Sequence, residues 1–151
     1  MILTSILEQR PELRAMKRGR EMKPSVSIVG CGKVGTTLAG YLTKAGYRIY
    51  GLSSRTLESA QNAAALCGAT MITTTAADVT HDADMVFITT PDGMIRGVCE
   101  AISEAGGFSE KNMVFHCSGS LPSTILESAK KKRCCHRIHP SASKLCHPSG
   151  R

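Results

Sequence analysis

The sequence predicts an α/β fold in which a doubly wound parallel β-sheet is covered by helices on both faces. Short apolar or β-branched runs alternate with segments of helical spacing, glycines follow the helical segments, and 151 residues suit one domain. Such alternation forms right-handed βαβ units around a parallel sheet. We place this domain at residues 25–140, between a basic extension at 1–24 and an irregular tail at 141–151.

The elements follow one another in regular order. Strands are predicted at residues 26–29, 47–52, 84–89 and 113–116, with a weaker one near 70–73. Helices are predicted from about Val34 to Gly46, over 56–67 with Thr56 as its cap, over 92–105, and over 121–132 with Ser120 as its cap.

The distribution of charge argues against nucleic acid as a partner. The net charge is +7, but residues 1–24 carry +3, residues 25–129 carry −3 and residues 130–151 carry +7. A nucleic-acid-binding fold places its basic face on the folded body, and here the body is acidic. The basic ends are predicted to be solvated tails, and an interaction role for them is the weakest functional alternative.

The seven cysteines form no regular framework and no secretory signal precedes them, so we expect free thiols in the cytoplasm. No uncharged run is long enough to span a membrane. Cysteines and histidines crowd the C-terminus without the paired spacing of a structural zinc site, so no metal is expected there: Cys134, Cys135, His136, His139, Cys146 and His147.

A glycine-rich loop carries the strongest functional signal. The sequence GCGKVG directly follows the first predicted strand and opens a helix, which is the context in which such a loop binds a dinucleotide. Gly30 permits the turn, Gly32 lets the backbone approach a pyrophosphate, and Gly35 lets helix and strand pack closely. The alternatives are a glycine turn without ligand and a methyltransferase, whose usual acidic residue before the loop is replaced here by Ile28 and Val29.

The end of the second strand predicts NADP rather than NAD. It reads Ser53, Ser54 and Arg55, with no carboxylate before Glu58 to bind both ribose hydroxyls of NAD. A guanidinium matches a 2′-phosphate through its planar fork. The alternative is that Arg55 is a surface charge at a helix start.

The loops after the fourth and fifth strands should flank the same ligand, because ligands of such sheets lie beyond the carboxyl ends of the strands. Ser118 could hydrogen-bond a substrate or a carboxamide. His116 could donate a proton, although a lone histidine in a strand is more often a core residue. Asp92 either caps its helix or has a functional role. Cys117 has no evident base partner, which argues against a nucleophile.

Several stretches together resemble one family: VSIVGCGKVGTTLAGYL, GLSSRTLESA, DADMVFITTPDGMI, VFHCSGSLPSTIL and IHP. They are similar to the N-terminal Rossmann-like domain of short oxidoreductases related to pyrroline-5-carboxylate reductase, deazaflavin-dependent NADP reductases and 3-hydroxyacid dehydrogenases. The resemblance implies that the cofactor is contacted by Gly30, Cys31, Gly32, Lys33, Val34 and Gly35, with Ser53, Ser54 and Arg55 at the adenosine end and Thr90, Pro91 and Ser118 at the nicotinamide side.

The resemblance ends at Pro140. Relatives continue with a C-terminal helical domain that builds the substrate site and the dimer, whereas residues 141–151 read differently. We therefore expect that domain to be missing through a frameshift or alternative splicing, and a dimer only where it is supplied. The predicted function is the NADP-binding domain of a dehydrogenase-like oxidoreductase that moves hydride to or from an unidentified small molecule. The alternative is a non-catalytic NADP-binding regulatory or redox-sensing module.

Overall fold

The computed structural model describes residues 23–129 and the backbone of residues 130 and 135–138. Six parallel strands form one sheet: Val26–Val29 (β1), Ile49–Ser53 (β2), Met71–Thr73 (β3), Met85–Ile88 (β4), Met113–His116 (β5) and Cys135–Ile138 (β6). Their order across the sheet is β3-β2-β1-β4-β5-β6. The chain therefore winds outward in both directions from β1 and β4, and a topological switch point lies between these two strands.

Helices connect the strands. They are Lys33–Lys44 (α1), Leu57–Cys67 (α2), Ala76–Thr80 (α3), Asp92–Glu104 (α4) and a 3₁₀ turn at Ser123–Leu126 that leads into Glu127–Lys130 (α5). Left-handed glycines follow α1, α2 and α4, with φ angles of +80° at Gly46, +63° at Gly68 and +70° at Gly106. Glycine adopts this conformation without the steric cost that a Cβ would add, so the glycine positions do end these helices as predicted.

Two apolar cores lie on the two faces of the sheet. One core packs α1 and α2 against the strands through Ala39, Leu42, Ala60 and Ala63. The other packs α4 and the segment around α5 through Ile95, Cys99, Ile102, Leu126 and Ala129. Strands β1 and β4 are buried along their whole length, as expected for central strands of a sheet covered on both faces.

The predicted α/β fold with a parallel sheet is confirmed, with four differences in detail. Strand β2 begins at Ile49 rather than at residue 47, and neither α3 nor β6 was predicted. The predicted helix over residues 121–132 is wrong in its first turns. Pro122 precedes a 3₁₀ turn, and the hydroxyl of Ser120 bonds Asp92 instead of capping a helix.

None of the helices in the described part of the chain is long and apolar enough to cross a membrane. The C-terminal residues for which a zinc site was considered lie outside the side chains that the structure describes. Among the described residues, no group of three or more histidine, cysteine or acidic side chains could hold a metal ion.

Candidate functional site

A cavity of about 570 Å³ opens where β1, β2 and β4 end, which we term the carboxyl edge of the sheet. Its wall consists of Val29, Gly30, Cys31, Gly32, Ser53, Ser54, Arg55, Thr56, Ser59, Thr74, Ala76, Thr89, Thr90, Pro91, Met94 and Val98. This is the place predicted for a ligand, at the switch point of a doubly wound sheet.

The three glycines of the loop meet different surroundings. Gly30 has a φ of +105°, and a Cβ there would lie 3.0 Å from the backbone of Thr89 and Thr90. A Cβ on Gly35 would collide with the carbonyl of Gly30 and the hydroxyl of Thr89. A Cβ on Gly32 would meet nothing within 4 Å. Packing inside the protein therefore accounts for the first and third glycines, while Gly32 borders open space in the cavity wall.

The helix that follows the loop begins without a cap. No side chain caps α1, and its first turn holds no acidic residue. Helix α2 differs, because the Thr56 side chain accepts a hydrogen bond from the backbone of Ser59 and Glu58 stands in the first turn. The first amide groups of a helix have no intrahelical partner and carry partial positive charge, so the start of α1 is open to an anionic ligand.

The end of β2 forms a polar part of the wall. Ser53 is 2% exposed, Ser54 is half-buried and Arg55 is exposed, and all three line the cavity as predicted. The structure adds three hydroxyl residues that sequence reasoning missed: Thr56, Ser59 and Thr74. Ser59 lies one helical turn after the predicted cap, a signal that could have been used. Thr74 follows the weakest strand and had no such signal.

The wall contains no carboxylate, and its thiol is not reactive. Arg55 is the only residue of the wall that is charged at neutral pH. Burial, with a smaller contribution from Cys67, raises the pKa of the Cys31 thiol to about 11. The Cys31 thiol donates to the Ser53 carbonyl at 3.5 Å. The Cys31 thiol therefore stays protonated at neutral pH, and Cys31 contributes to the wall only as a small side chain.

The end of β4 supplies the opposite side of the wall. The Thr89 hydroxyl donates to the Gly30 carbonyl at 2.6 Å and so links β4 to the glycine loop. The hydroxyl oxygen of the neighbouring Thr90 is buried and has no hydrogen-bond partner among the residues that the structure describes. A buried polar atom without a partner is costly, so such an atom in a cavity wall is a candidate contact for a ligand.

A second polar cluster begins directly after this wall, between the ends of β4 and β5. The Ser118 hydroxyl donates to Asp92 Oδ2 at 2.8 Å, and the Ser120 hydroxyl donates to the same oxygen at 2.9 Å. Asp92 is the first residue of α4, with Pro91 at the cap position and no side-chain cap bond. The interpretation of Asp92 as a helix cap is therefore wrong, because its carboxylate reaches across to the β5 loop.

His116 lies behind this cluster and is fully buried. Its Nδ1 accepts the backbone N–H of Ser118 at 3.2 Å, so the neutral ring carries its proton on Nε2. Within residues 23–129, Nε2 has no partner in regular hydrogen-bond geometry. Burial lowers the pKa of His116, opposed in part by the Asp92 carboxylate and the Pro122 backbone. At neutral pH the imidazole is therefore uncharged.

Not every predicted site residue lies in the cavity wall. Lys33 and Val34 are exposed in the first turn of α1, and Gly35 is buried beneath the loop. Ser118 and His116 lie beside the wall rather than in it. Cys117 is a free, exposed cysteine.

This fold and site define a class. The family profile of the Rossmann-like domain matches residues 9–140, so the chain belongs to the Rossmann-like domain family. A search of curated protein sequences gives no significant match.

Solved structures of oxidoreductases share the fold. A Bacteroides fragilis protein described as an NADP oxidoreductase superposes with a TM-score of 0.63 at 30% identity, over 70% of this chain and 40% of that one. Synechocystis arogenate dehydrogenase gives 0.60 at 22% identity, over 71% of this chain and 37% of that one.

Prephenate dehydrogenase of A. aeolicus, solved with hydroxyphenyl propionate and NAD+, gives 0.57 at 22% identity, over 74% and 38% of the two chains. The chain thus spans about 40% of the length of these oxidoreductases.

Proposed function

We propose that the chain is the NADP-binding domain of an oxidoreductase that moves hydride to or from a small molecule. The observation that carries the proposal is the cavity at the carboxyl edge, which joins the glycine loop to a carboxylate-free wall of hydroxyls and one guanidinium. Dehydrogenases and an NADP oxidoreductase among the structural neighbours support the same assignment.

The residues of the cavity wall fit NADP at three points. The open space at Gly32 and the uncapped start of α1 suit a pyrophosphate. Arg55, with the hydroxyls near it, suits a 2′-phosphate. The unpartnered hydroxyl of Thr90 is available at the far side of the cavity.

The protein's own task would be binding and orientation. When bound, a nicotinamide supplies the hydride chemistry. The glycine loop and α1 would hold the phosphates, and the ends of β2 and β4 would fix the two ends of the ligand on opposite sides of the cavity. The wall contains no residue that exchanges protons near pH 7, since Arg55 stays charged and Cys31 stays protonated.

A non-catalytic binding module is the second candidate function. The described cavity wall holds no side chain that exchanges protons near pH 7, which favours this alternative. An enclosed active site needs a second wall that excludes water. We expect this chain by itself to bind NADP and to reduce small imines or ketones slowly or not at all. A steady-state assay decides the point: robust turnover by the 151-residue chain would exclude the binding-module alternative.

Gly32→Val tests the ligand site itself. A valine side chain would occupy the space in which a pyrophosphate is proposed to lie, while nothing within 4 Å opposes it in the folded protein. Calorimetry should show at least about a hundredfold weaker NADP binding, roughly 2.7 kcal/mol, with little change in melting temperature. Gly40→Val is the matched control on α1, because it too meets nothing within 4 Å but lies outside the wall. Binding by Gly32→Val at the wild-type affinity would overturn the assignment.

The preference for NADP over NAD is tested at Arg55. Charge-assisted bonds contribute about 1.5–3 kcal/mol each, and solvent screening at this exposed site reduces that gain. We expect about a tenfold preference for NADP at physiological salt, which grows at low salt. Arg55→Ala should remove most of it, and Ser54→Asp should shift the preference towards NAD. Arg96→Ala, on the exposed side of α4 and outside the wall, serves as the charge-matched control. Equal affinities of the wild type for both cofactors would identify Arg55 as a surface charge.

A further inference from the structure

A buried histidine holds the chain that follows β5, residues 117–122, which we term the β5 loop. His116 is fully buried at the end of β5, and its Nδ1 accepts the Ser118 backbone N–H at 3.2 Å. On the other side of the ring, Nε2 has no partner in regular hydrogen-bond geometry among the described residues, but the Pro122 backbone is close enough to favour the protonated ring. The imidazole therefore lies near the backbone at both ends of the β5 loop.

The bond to Ser118 exists only while the imidazole is neutral. An imidazolium carries a proton on each nitrogen and cannot accept the Ser118 N–H. Protonation would leave a buried N–H without an acceptor and would place a charge next to the apolar core on this face of the sheet. Val114, Ile125 and Leu126 belong to that core. A protonated His116 thus favours a different position of the β5 loop.

One carboxylate acts on the ring. The negative charge of Asp92, at the start of α4, favours the protonated form of His116, and this carboxylate accepts two serine hydroxyls of the β5 loop. The β4 residue in register with the ring is the apolar Ile88. The remaining titratable groups here are thiols, and loss of hydration raises the pKa of Cys99 to about 11 and also raises that of Cys117. An imidazolium would therefore compete with the serines for the Asp92 carboxylate.

Asp92 also connects this loop to the cavity. Pro91, directly before Asp92, lines the cavity, and Met94 in the first turn of α4 lines it again. A shift of the Asp92 carboxylate from the serines towards an imidazolium would move wall residues on both sides of it. The protonation of His116 can therefore be felt in the cavity without any contact between the ring and a ligand.

We propose that His116 is a positioning residue, whose neutral ring fixes the β5 loop and, through Asp92, the α4 side of the cavity, so that acidification weakens ligand binding. His116 acts through Ser118 and Asp92 and exchanges no proton with the ligand. This role differs from that of the proton donor considered from the sequence. The effect on NADP binding rests on the proposed function, whereas the hold on the β5 loop does not.

The first arm of the test examines the β5 loop without a ligand. Nitrogen NMR shifts of the His116 ring should show its proton on Nε2 at pH 7.5. Hydrogen exchange of the Ser118 amide, relative to its intrinsic rate, should be at least about fivefold faster in His116→Leu, which offers no acceptor. His116→Asn should restore most of the protection, because its side-chain oxygen can accept the same N–H. His81→Gln, at an exposed position before β4, is the control and should leave the Ser118 amide unchanged.

The second arm measures NADP affinity against pH by calorimetry. The 2′-phosphate takes up a proton at about pH 6 by itself, so the quantity followed is the ratio of wild-type affinity to that of His116→Asn. Burial lowers the pKa of His116 from the ordinary value of 6.5, so the ratio should stay constant above pH 6.5. It should then fall by about three- to tenfold by pH 5, as the ring of the folded protein takes up its proton. His81→Gln should follow the wild type, and circular dichroism establishes that each protein is folded at each pH.

The outcomes separate this role from a purely structural one. Faster exchange in His116→Leu, rescue by His116→Asn and a ratio that falls on acidification support the proposal. A ring proton on Nδ1, unchanged Ser118 protection in His116→Leu, or a ratio that does not change with pH overturns it. A wild type that binds no NADP at pH 7.5 refutes the proposed function, and the first arm then decides whether His116 positions the β5 loop.

Discussion

The two edges of the sheet satisfy their polar groups in different ways. At the amino edge, where the strands begin, the Asp84 carboxylate accepts the Ser25 hydroxyl proton. The Asn112 side chain donates there to the carbonyls of Thr80 and Ala83. At the carboxyl edge, the Thr90 hydroxyl and His116 Nε2 are buried and have no partner in regular hydrogen-bond geometry among the residues that the structure describes. The carboxyl edge also has the uncapped starts of α1 and α4 and the open space beside Gly32.

The difference separates stability from binding. Each buried polar group left without a partner costs about 1–3 kcal/mol, so a sheet selected for stability alone would pair both edges equally. The amino edge meets its requirements within the chain, and changes there should affect unfolding alone. The carboxyl edge leaves groups that a ligand can satisfy, and changes there should affect binding as well.

The largest effect is expected at Gly35, where a substitution should change both the stability of the fold and ligand binding. A methyl group on this residue would overlap the Gly30 carbonyl and the Thr89 hydroxyl, so α1 and the end of β1 must separate. Overpacking of a rigid site costs about 1–3 kcal/mol and occasionally more, and two backbone segments are involved here. We expect Gly35→Ala to lower the free energy of unfolding by about 3 kcal/mol and also to weaken NADP binding, measured by urea denaturation and calorimetry.

Gly40→Ala is the control for that substitution. Gly40 lies on the same helix with nothing within 4 Å of an added Cβ, so alanine there should stabilise the protein by about 0.5–1 kcal/mol through helix propensity. A Gly35→Ala protein as stable as the wild type would show that loop and helix are not in close contact.

The second-largest effect is expected for Asn112 at the amino edge, where a substitution should change stability alone. Asn112 is fully buried, donates to the carbonyls of Thr80 and Ala83, and accepts the backbone N–H of Ser109. Asn112→Ala removes all of these bonds inside the protein and should lower the free energy of unfolding by about 2 kcal/mol. NADP affinity, measured where the variant is fully folded, should stay within about twofold of the wild type. Asn62→Ala, exposed on α2, should change neither quantity. A tenfold loss of affinity in Asn112→Ala would contradict the separation of the two edges.

The sequence predicted those features that depend on residues close together in the chain. The glycine loop, its strand and the helix after it lie within about twenty residues, and the left-handed ends at Gly46 and Gly68 follow from local sterics. The first two strand–helix units were therefore predicted well. Helix α3 was missed because five residues are too few to show a helical period.

Features that depend on tertiary contacts were not predicted. The Asp92 carboxylate meets Ser118 and Ser120, which are 26 and 28 residues away in the sequence. Local rules predicted a helix cap at Ser120 and offered a cap as one of two interpretations of Asp92. The long-range contact holds the Asp92 carboxylate away from the backbone of α4. Ser120 is not a cap because the 3₁₀ turn begins only after Pro122. Thr74 entered the cavity wall in a similar way, through the pairing of the short strand β3 with β2.

The smallest expected effect is a pH dependence of the free energy of unfolding. It should come from His116 at the carboxyl edge and not from His81 at the amino edge. Burial lowers the pKa of His116 from the ordinary value of 6.5, whereas His81 at the amino edge is exposed. Below pH 6.5 the unfolded chain binds a proton at His116 that the folded chain resists, so stability falls as pH decreases. The loss begins near pH 6.5 and is complete below the lower pKa of the folded state. His116→Asn, whose side-chain oxygen can still accept the Ser118 N–H, should remove this part of the slope in urea denaturation between pH 8 and pH 5. His81→Gln should retain it, and an unchanged slope in His116→Asn would show that the buried imidazole does not contribute.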